Sequence, residues 1–189
     1  MTDCFALLGQ TRRPWLDPDA LKQAFHARSL QSHPDAQPGN TAPEFAQLNE
    51  AHQVLQDPKR RLHHLLTLEG FAPQPGAAPI PPEIEVLFST VAALTQEVER
   101  LLAKTAAAMN PLSRSLLKAE TLQVQNRLTE ALAQLQRLHE EANARLQDLT
   151  AAWEPRDPAV VGELQRLYLL FSYVTRWRAE LREKQLQLA

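Results

Sequence analysis

Three consecutive residues, His33-Pro34-Asp35, combine an imidazole, a proline and a carboxylate. The proline fixes its own backbone angle, so two charge-capable groups are held on either side of a stiff point. Such a site suits recognition. Asp35 can accept a charge-assisted hydrogen bond from a cationic partner group, a contact of the stronger kind. The rest of the sequence offers little for catalysis, because no serine, cysteine or lysine is set beside a plausible base. The other histidines lack metal-site spacing. His26 and the pair His63-His64 have no cysteine or carboxylate at ligand spacing, and His52 and His139 fall within or beside apolar stripes. Cys4 is the only cysteine, so no internal disulfide can form. No metal or cofactor is expected, and the chain reads as a binding protein rather than an enzyme.

The elements that must position this tripeptide are helical. Asp3 can cap a short first helix that Gly9 ends. The second helix has the clearest start: Asp17 as N-cap, Pro18 at the first helical position, and Leu16 able to staple onto Leu21. It should run to about Ser32, because the residue before Pro34 disfavours helical angles. Thr41 and Glu44 have capping-box spacing and open a third helix with Phe45, Leu48, Ala51 and Leu55 on one side. Asp57-Pro58 starts a fourth, which runs to Glu69 before Gly70. His33-Pro34-Asp35 therefore lies between the second and third helices, at the tip of a helical hairpin.

Residues 72–82 carry five prolines and form a linker of extended character. Beyond it the pattern changes to long helices. Ile84, Leu87, Val91, Leu94, Val98 and Leu101 alternate steps of three and four. Asn110-Pro111 starts a second long helix with Leu128, Leu132, Leu135, Ala142, Leu146 and Leu149 in its stripe. Asp157-Pro158 starts a third with Leu164, Leu167, Phe171, Val174 and Leu181. Three such stripes bury one another in an antiparallel bundle. The expected architecture is all-α: an N-terminal domain over 1–71, a linker over 72–82, and a three-helix bundle over 83–189.

Composition bounds the function. Of 189 residues, 44% are hydrophobic and only five are glycine, which favours helices over strands. A formal net charge of -2 gives no global field for nucleic acid. No apolar stretch approaches the roughly 18 to 20 residues of a membrane span. The first residues lack a basic region followed by an apolar run, so neither a secretory signal nor a membrane partner is expected, and the location expected is cytoplasmic.

The tripeptide, the helix with Phe25 before it, and Asn49-Glu50-Ala51…Val54-Leu55…Asp57-Pro58 after it resemble the J-domain family over roughly residues 3 to 70. That resemblance implies a loop that docks on a DnaK-type chaperone near its interdomain linker and promotes ATP hydrolysis there. His33, Pro34 and Asp35 would carry the contact, with Lys22, His26 and Arg28 on the preceding helix supporting it. This helix is less basic than J-domains usually are: Gln23 and Gln31 are neutral, and Arg28 and Ser32 stand where a leucine and a tyrosine are common. Because charge supplies on-rate and orientation more than affinity, slower and more selective docking is expected.

Within that family, Cys4-Phe5-Ala6-Leu7-Leu8-Gly9, Leu16-Asp17 and Arg61-Leu62-His63-His64-Leu65-Leu66-Thr67-Leu68-Glu69-Gly70-Phe71 look like the HscB group, co-chaperones of iron–sulfur cluster assembly. The layout agrees, and the Gly/Phe-rich segment and cysteine-rich zinc repeats of general DnaJ proteins are missing. The resemblance implies an HscA-type ATPase partner and an IscU-like scaffold protein as client. The client would be held on the bundle by Leu87, Phe88 and Val91, extended by Tyr168 and Phe171. Leu87 and Val91 equally fit heptad core, as do the two aromatics of the last helix. Ala92 and Thr95 replace glutamates that would be expected beside the patch. Two other readings remain open at this level: a divergent J-protein with an unrelated client, and a helical protein that self-associates through its C-terminal helices.

Overall fold

A computed structural model describes residues 2–31, 42–73, 80–108, 110–153 and 157–188. Seven α-helices and no strand occur among them: α1 Cys4–Leu7, α2 Pro18–Gln31, α3 Ala42–Gln56, α4 Pro58–Leu68, α5 Pro82–Ala107, α6 Pro111–Ala151 and α7 Pro158–Gln187. The all-α architecture with an N-terminal helical hairpin and a C-terminal bundle is as expected. The caps explain the boundaries. Asp3 Oδ1 accepts from the Phe5 and Ala6 amides, Asp17 Oδ1 from Ala20, Asp57 Oδ1 from Arg60, and Asn110 Oδ1 from Ser113. Each satisfies an amide that the first helical turn leaves without an intrahelical acceptor.

Helices α1 and α4 end the same way. Gly9 and Gly70 adopt φ of 64° and 85°, a region open to glycine without a Cβ penalty. The amide one residue beyond each glycine then reaches back to the helix: Gln10 N–H donates to Phe5 O at 2.8 Å and Phe71 N–H to Leu66 O at 2.7 Å. These are Schellman closures.

The helices belong to two compact units. The first comprises Met1–Pro79 with Asn143–Tyr168, and the second Ile80–Ala142 with Leu169–Ala189. The proline-rich stretch thus contains one boundary between them, but the first unit also takes in segments of α6 and α7.

The core of the first unit joins Phe5 of α1 and its C-cap Leu8, Leu21 of α2, Leu48, Ala51 and Leu55 of α3, and Leu65 of α4. Leu16 is buried with Leu21, as the staple requires. Trp153, just past α6, packs against this core. Its indole N–H donates to Arg12 O at 3.0 Å, and Thr150 Oγ1 accepts from the Trp15 amide at 3.0 Å. The end of α6 therefore holds the segment between α1 and α2 by two directional contacts.

Phe45 departs from expectation. It was grouped with Leu48, Ala51 and Leu55 as core, yet it is exposed. Helix α1 is only four residues long, and the buried run on α3 begins at Leu48.

In the second unit, Ile84, Leu87, Val91, Leu94, Val98 and Leu101 are all buried, as their spacing predicts. Val124, Leu128, Ala131 and Leu135 of α6 and Phe171, Val174, Trp177 and Leu181 of α7 are buried in the same unit. Polar contacts fix the directions. Glu97 pairs with Arg127 and Lys104 with Glu120, so α5 and α6 are antiparallel. Thr95 bonds Glu180 and Glu99 pairs with Lys184, so α5 and α7 run parallel.

Candidate functional site

His33, Pro34 and Asp35 lie outside the described residues. The elements on either side are described. Lys22, His26 and Arg28 are exposed along α2. Arg28 also has a local role: its Nη2 would lie 3.2 Å from a Cβ added at Gly9, so the guanidinium rests against the end of α1. Leu30, near the end of α2, is 73% exposed, and Phe45, near the start of α3, is 39% exposed. These two large apolar residues bracket the 32–41 segment in sequence. Leu30 was not singled out, and its signal is an apolar residue next to a polar run. An exposed apolar side chain on its own is common and carries little weight; two of them flanking a recognition tripeptide carry more.

Behind this surface, Phe25 stacks on His52 with ring centroids 4.4 Å apart, and His26 lies 5.8 Å from Phe25. Burial holds the His52 imidazole below its ordinary value, and the neighbouring His26 lowers it further. A cleft of about 400 Å³ lies here, lined by α2, α3 and the buried Arg61.

Helix α4 carries two polar residues that are buried, contrary to what Lys59-Arg60-Arg61 and His63-His64 suggest as strings. Arg61 donates from Nε to Pro14 O at 2.8 Å and from Nη1 to Leu55 O at 2.6 Å. Burial pushes its guanidinium down to about 10, which leaves it charged at neutral pH. His64 Nε2 accepts from the Cys4 amide at 3.0 Å, and its ring stacks on Phe5. The ring therefore supports the start of α1 only while Nε2 is unprotonated.

A pH dependence follows. Burial lowers the His64 imidazole, Arg12 and His63 add to the lowering, and Asp3 opposes it. The folded value is thus below that of the unfolded chain, about 6.5. The unfolded chain takes up the proton first, so stability is full above about pH 6.5 and is lost as pH falls through the folded value. His52 acts in the same direction. Urea midpoints measured at about pH 7.5 and about pH 5.5 should fall on acidification. His64→Gln, which retains a side-chain acceptor without titrating, should lose less. Equal losses in parent and variant would contradict this.

The predicted client residues divide by burial. Leu87 and Val91 are 3% exposed and Phe171 is fully buried, so their side chains are occupied in packing and present no contact surface. Phe171 meets His139 edge-on at 5.2 Å. Phe88, by contrast, is 57% exposed. It lies 6.2 Å from the Trp177 ring; Tyr173 lies 5.4 Å from Trp177, and the Arg176 guanidinium sits 5.1 Å over Tyr173. This aromatic platform was missed from sequence, although Tyr173 and Trp177 are spaced four apart on one helical face. Tyr168 is half-buried in the first unit, 5.8 Å from His63. Glu97 and Glu99, further along α5, are engaged by Arg127 and Lys184.

Comparison with known proteins agrees with this arrangement. The family model of the DnaJ domain matches residues 3–64. Chaperone protein DnaJ of Caulobacter vibrioides is 41% identical over 63 residues, 32% of this chain and 16% of that protein. Chaperone protein DnaJ of Caldicellulosiruptor bescii is 38% identical over 78 residues, 40% of this chain and 20% of that protein. The matched region is thus no more than a fifth of these DnaJ relatives. Residues 3–64 are thus a DnaJ domain. Over its whole length the chain has the fold of HscB: the structure of chaperone HscB from Vibrio cholerae superposes with a TM-score of 0.62 and 19% identity, covering 100% of both chains.

No helix among the described residues is long and apolar enough to cross a membrane. No group of three or more metal-ligating side chains occurs among them.

Proposed function

We propose that this protein is a co-chaperone that docks on an ATPase chaperone of the DnaK/HscA type through His33, Pro34 and Asp35, stimulates its ATP hydrolysis, and brings it a client. The observation that carries this is the DnaJ-domain match, which spans the tripeptide, within a chain that has the HscB fold throughout. Lys22 and His26 would meet the chaperone beside the loop, and the exposed Leu30 and Phe45 would give that contact an apolar component. The test is steady-state ATP hydrolysis by a cognate chaperone with and without the full chain. A rate unchanged by saturating chain would refute the reading.

The client reading follows the fold. We infer an IscU-like scaffold protein and a role in iron–sulfur cluster assembly, with Phe88 as the anchor. Interface energy concentrates in a few aromatic and arginine residues, each contributing about 2 kcal/mol or more. Phe88→Ala should therefore weaken scaffold binding about thirtyfold by calorimetry. Most of the ring is exposed, so the melting temperature should hardly change. Full-strength binding by the variant would remove Phe88 from the interface. Absence of scaffold binding by the parent would leave a J-protein with an unrelated client.

A further inference from the structure

In the first unit, a cavity of about 280 Å³ lies between α3, α4 and the first-unit segment of α7. Its lining is Val54, Lys59, Arg60, His63, His64 and Tyr168. Every polar group in that set can donate. Lys59 offers an ammonium and His63 an imidazole. His64 is committed by its other side: because Nε2 accepts from the Cys4 amide, the neutral ring carries its proton on Nδ1. No carboxylate lines the cavity. Acids stand close by: Glu50 pairs with Arg60 and takes part of its donor capacity, Asp57 caps the start of α4, and Asp3 lies within electrostatic reach of His64. The backbone amide of Arg60 is already satisfied by Asp57, so the cavity's character comes from side chains and not from the start of α4.

A concave site lined by the donors of α4 and by no carboxylate selects an anion with several acceptor oxygens. A carboxylate brings two oxygens and one charge. A phosphate monoester brings three terminal oxygens and a charge of about -1.5 to -2 at neutral pH, and so can engage more of these donors at once. The volume is several times the roughly 30 Å³ of a water molecule. Val54 and the Tyr168 ring give a wall for an organic body. We propose that this cavity binds a small organic phosphate monoester, with Lys59, His63 and His64 holding the phosphate.

The experiment is a heteronuclear NMR titration of the full chain with phenyl phosphate, with benzoate as a matched carboxylate and Lys59→Gln/His63→Gln as the variant. His63 is exposed and Lys59 half-buried, with no core role for either, so the variant should keep the parent's melting temperature. Saturable shifts at the amides of residues 59–64 and Tyr168 are expected, with phenyl phosphate binding about tenfold tighter than benzoate and about tenfold tighter than to the variant. Three results would overturn the proposal: no saturable shift up to about 10 mM phenyl phosphate, equal affinity in the variant, or benzoate bound as tightly as phenyl phosphate. A response to an acidic peptide alone, without phenyl phosphate binding, would likewise overturn it in favour of a protein partner.

Discussion

His33→Gln is expected to abolish most of the stimulation that the parent chain gives to a DnaK/HscA-type ATPase. The imidazole and the Asp35 carboxylate are the two charge-capable groups of the site, and a contact to a charged group is worth about 1.5 to 3 kcal/mol. Losing one should raise the half-stimulating concentration about tenfold or more, leaving the rate near the chaperone's basal value at moderate concentration. Leu21 before the 32–41 segment and Leu48, Ala51 and Leu55 after it hold the core of the first unit among the described residues. The melting temperature should therefore stay at the parent's value, which separates a lost contact from a lost fold. Equal stimulation by parent and variant, at equal concentration and low salt, would remove the tripeptide from the mechanism.

Charge on α2, which precedes the tripeptide in sequence, bears on the same contact. The helix's exposed cationic candidates are Lys22, His26 and Arg28, and the Arg28 guanidinium rests against the end of α1. Few mobile charges mean little long-range steering, so the salt dependence of stimulation should be shallow. The apolar Leu30 and Phe45 shift the contact toward burial of surface, which salt screens far less.

Helix boundaries were legible because they depend on local chemistry. Asp17-Pro18, Asp57-Pro58, Asn110-Pro111 and Asp157-Pro158 each begin a helix, and Gly9 and Gly70 each close one. A cap concerns residues within a few positions of each other, so a single sequence contains all of it. The α5 stripe was legible for a similar reason, since one face repeated over many turns has only one way to be buried.

Partners far along the chain were not legible. His64 looks like half of a solvated pair, yet its acceptor role is set by an amide 60 residues away. Trp153 reads as the frayed end of a bundle helix, but its indole bonds Arg12, 141 residues earlier. For the same reason the first compact unit takes in Asn143–Tyr168, which periodicity assigns to the bundle. At the candidate client face, spacing already placed Leu87 and Val91 in the heptad stripe and left Phe88 outside it. The packing agrees, burying Leu87 and Val91 and leaving Phe88 exposed.

Arg61→Ala is expected to carry a large stability effect in the first unit. Arg61 is 4% exposed and bonds two backbone carbonyls, Pro14 O ahead of α2 and Leu55 O in the last turn of α3. Two opposing costs decide the outcome. Its charge is held in a poorly solvated place, as its lowered value of about 10 records, so removing the charge relieves a penalty of about 3 kcal/mol. Removing the side chain forfeits two charge-assisted bonds of about 1.5 to 3 kcal/mol each and leaves both carbonyls buried without this donor. Truncation to alanine adds a cavity where the aliphatic stem packed, which costs further. The losses outweigh the relief, so Arg61→Ala should destabilise by about 3 kcal/mol, a large share of the stability of so small a core. Arg61→Met, which keeps the stem and drops both charge and donors, should fall between alanine and parent. Urea unfolding followed by fluorescence tests this, since Trp15 and Trp153 lie in the first unit and Trp177 in the second. A loss below about 0.5 kcal/mol for Arg61→Ala would mean that the two carbonyls are satisfied without the guanidinium.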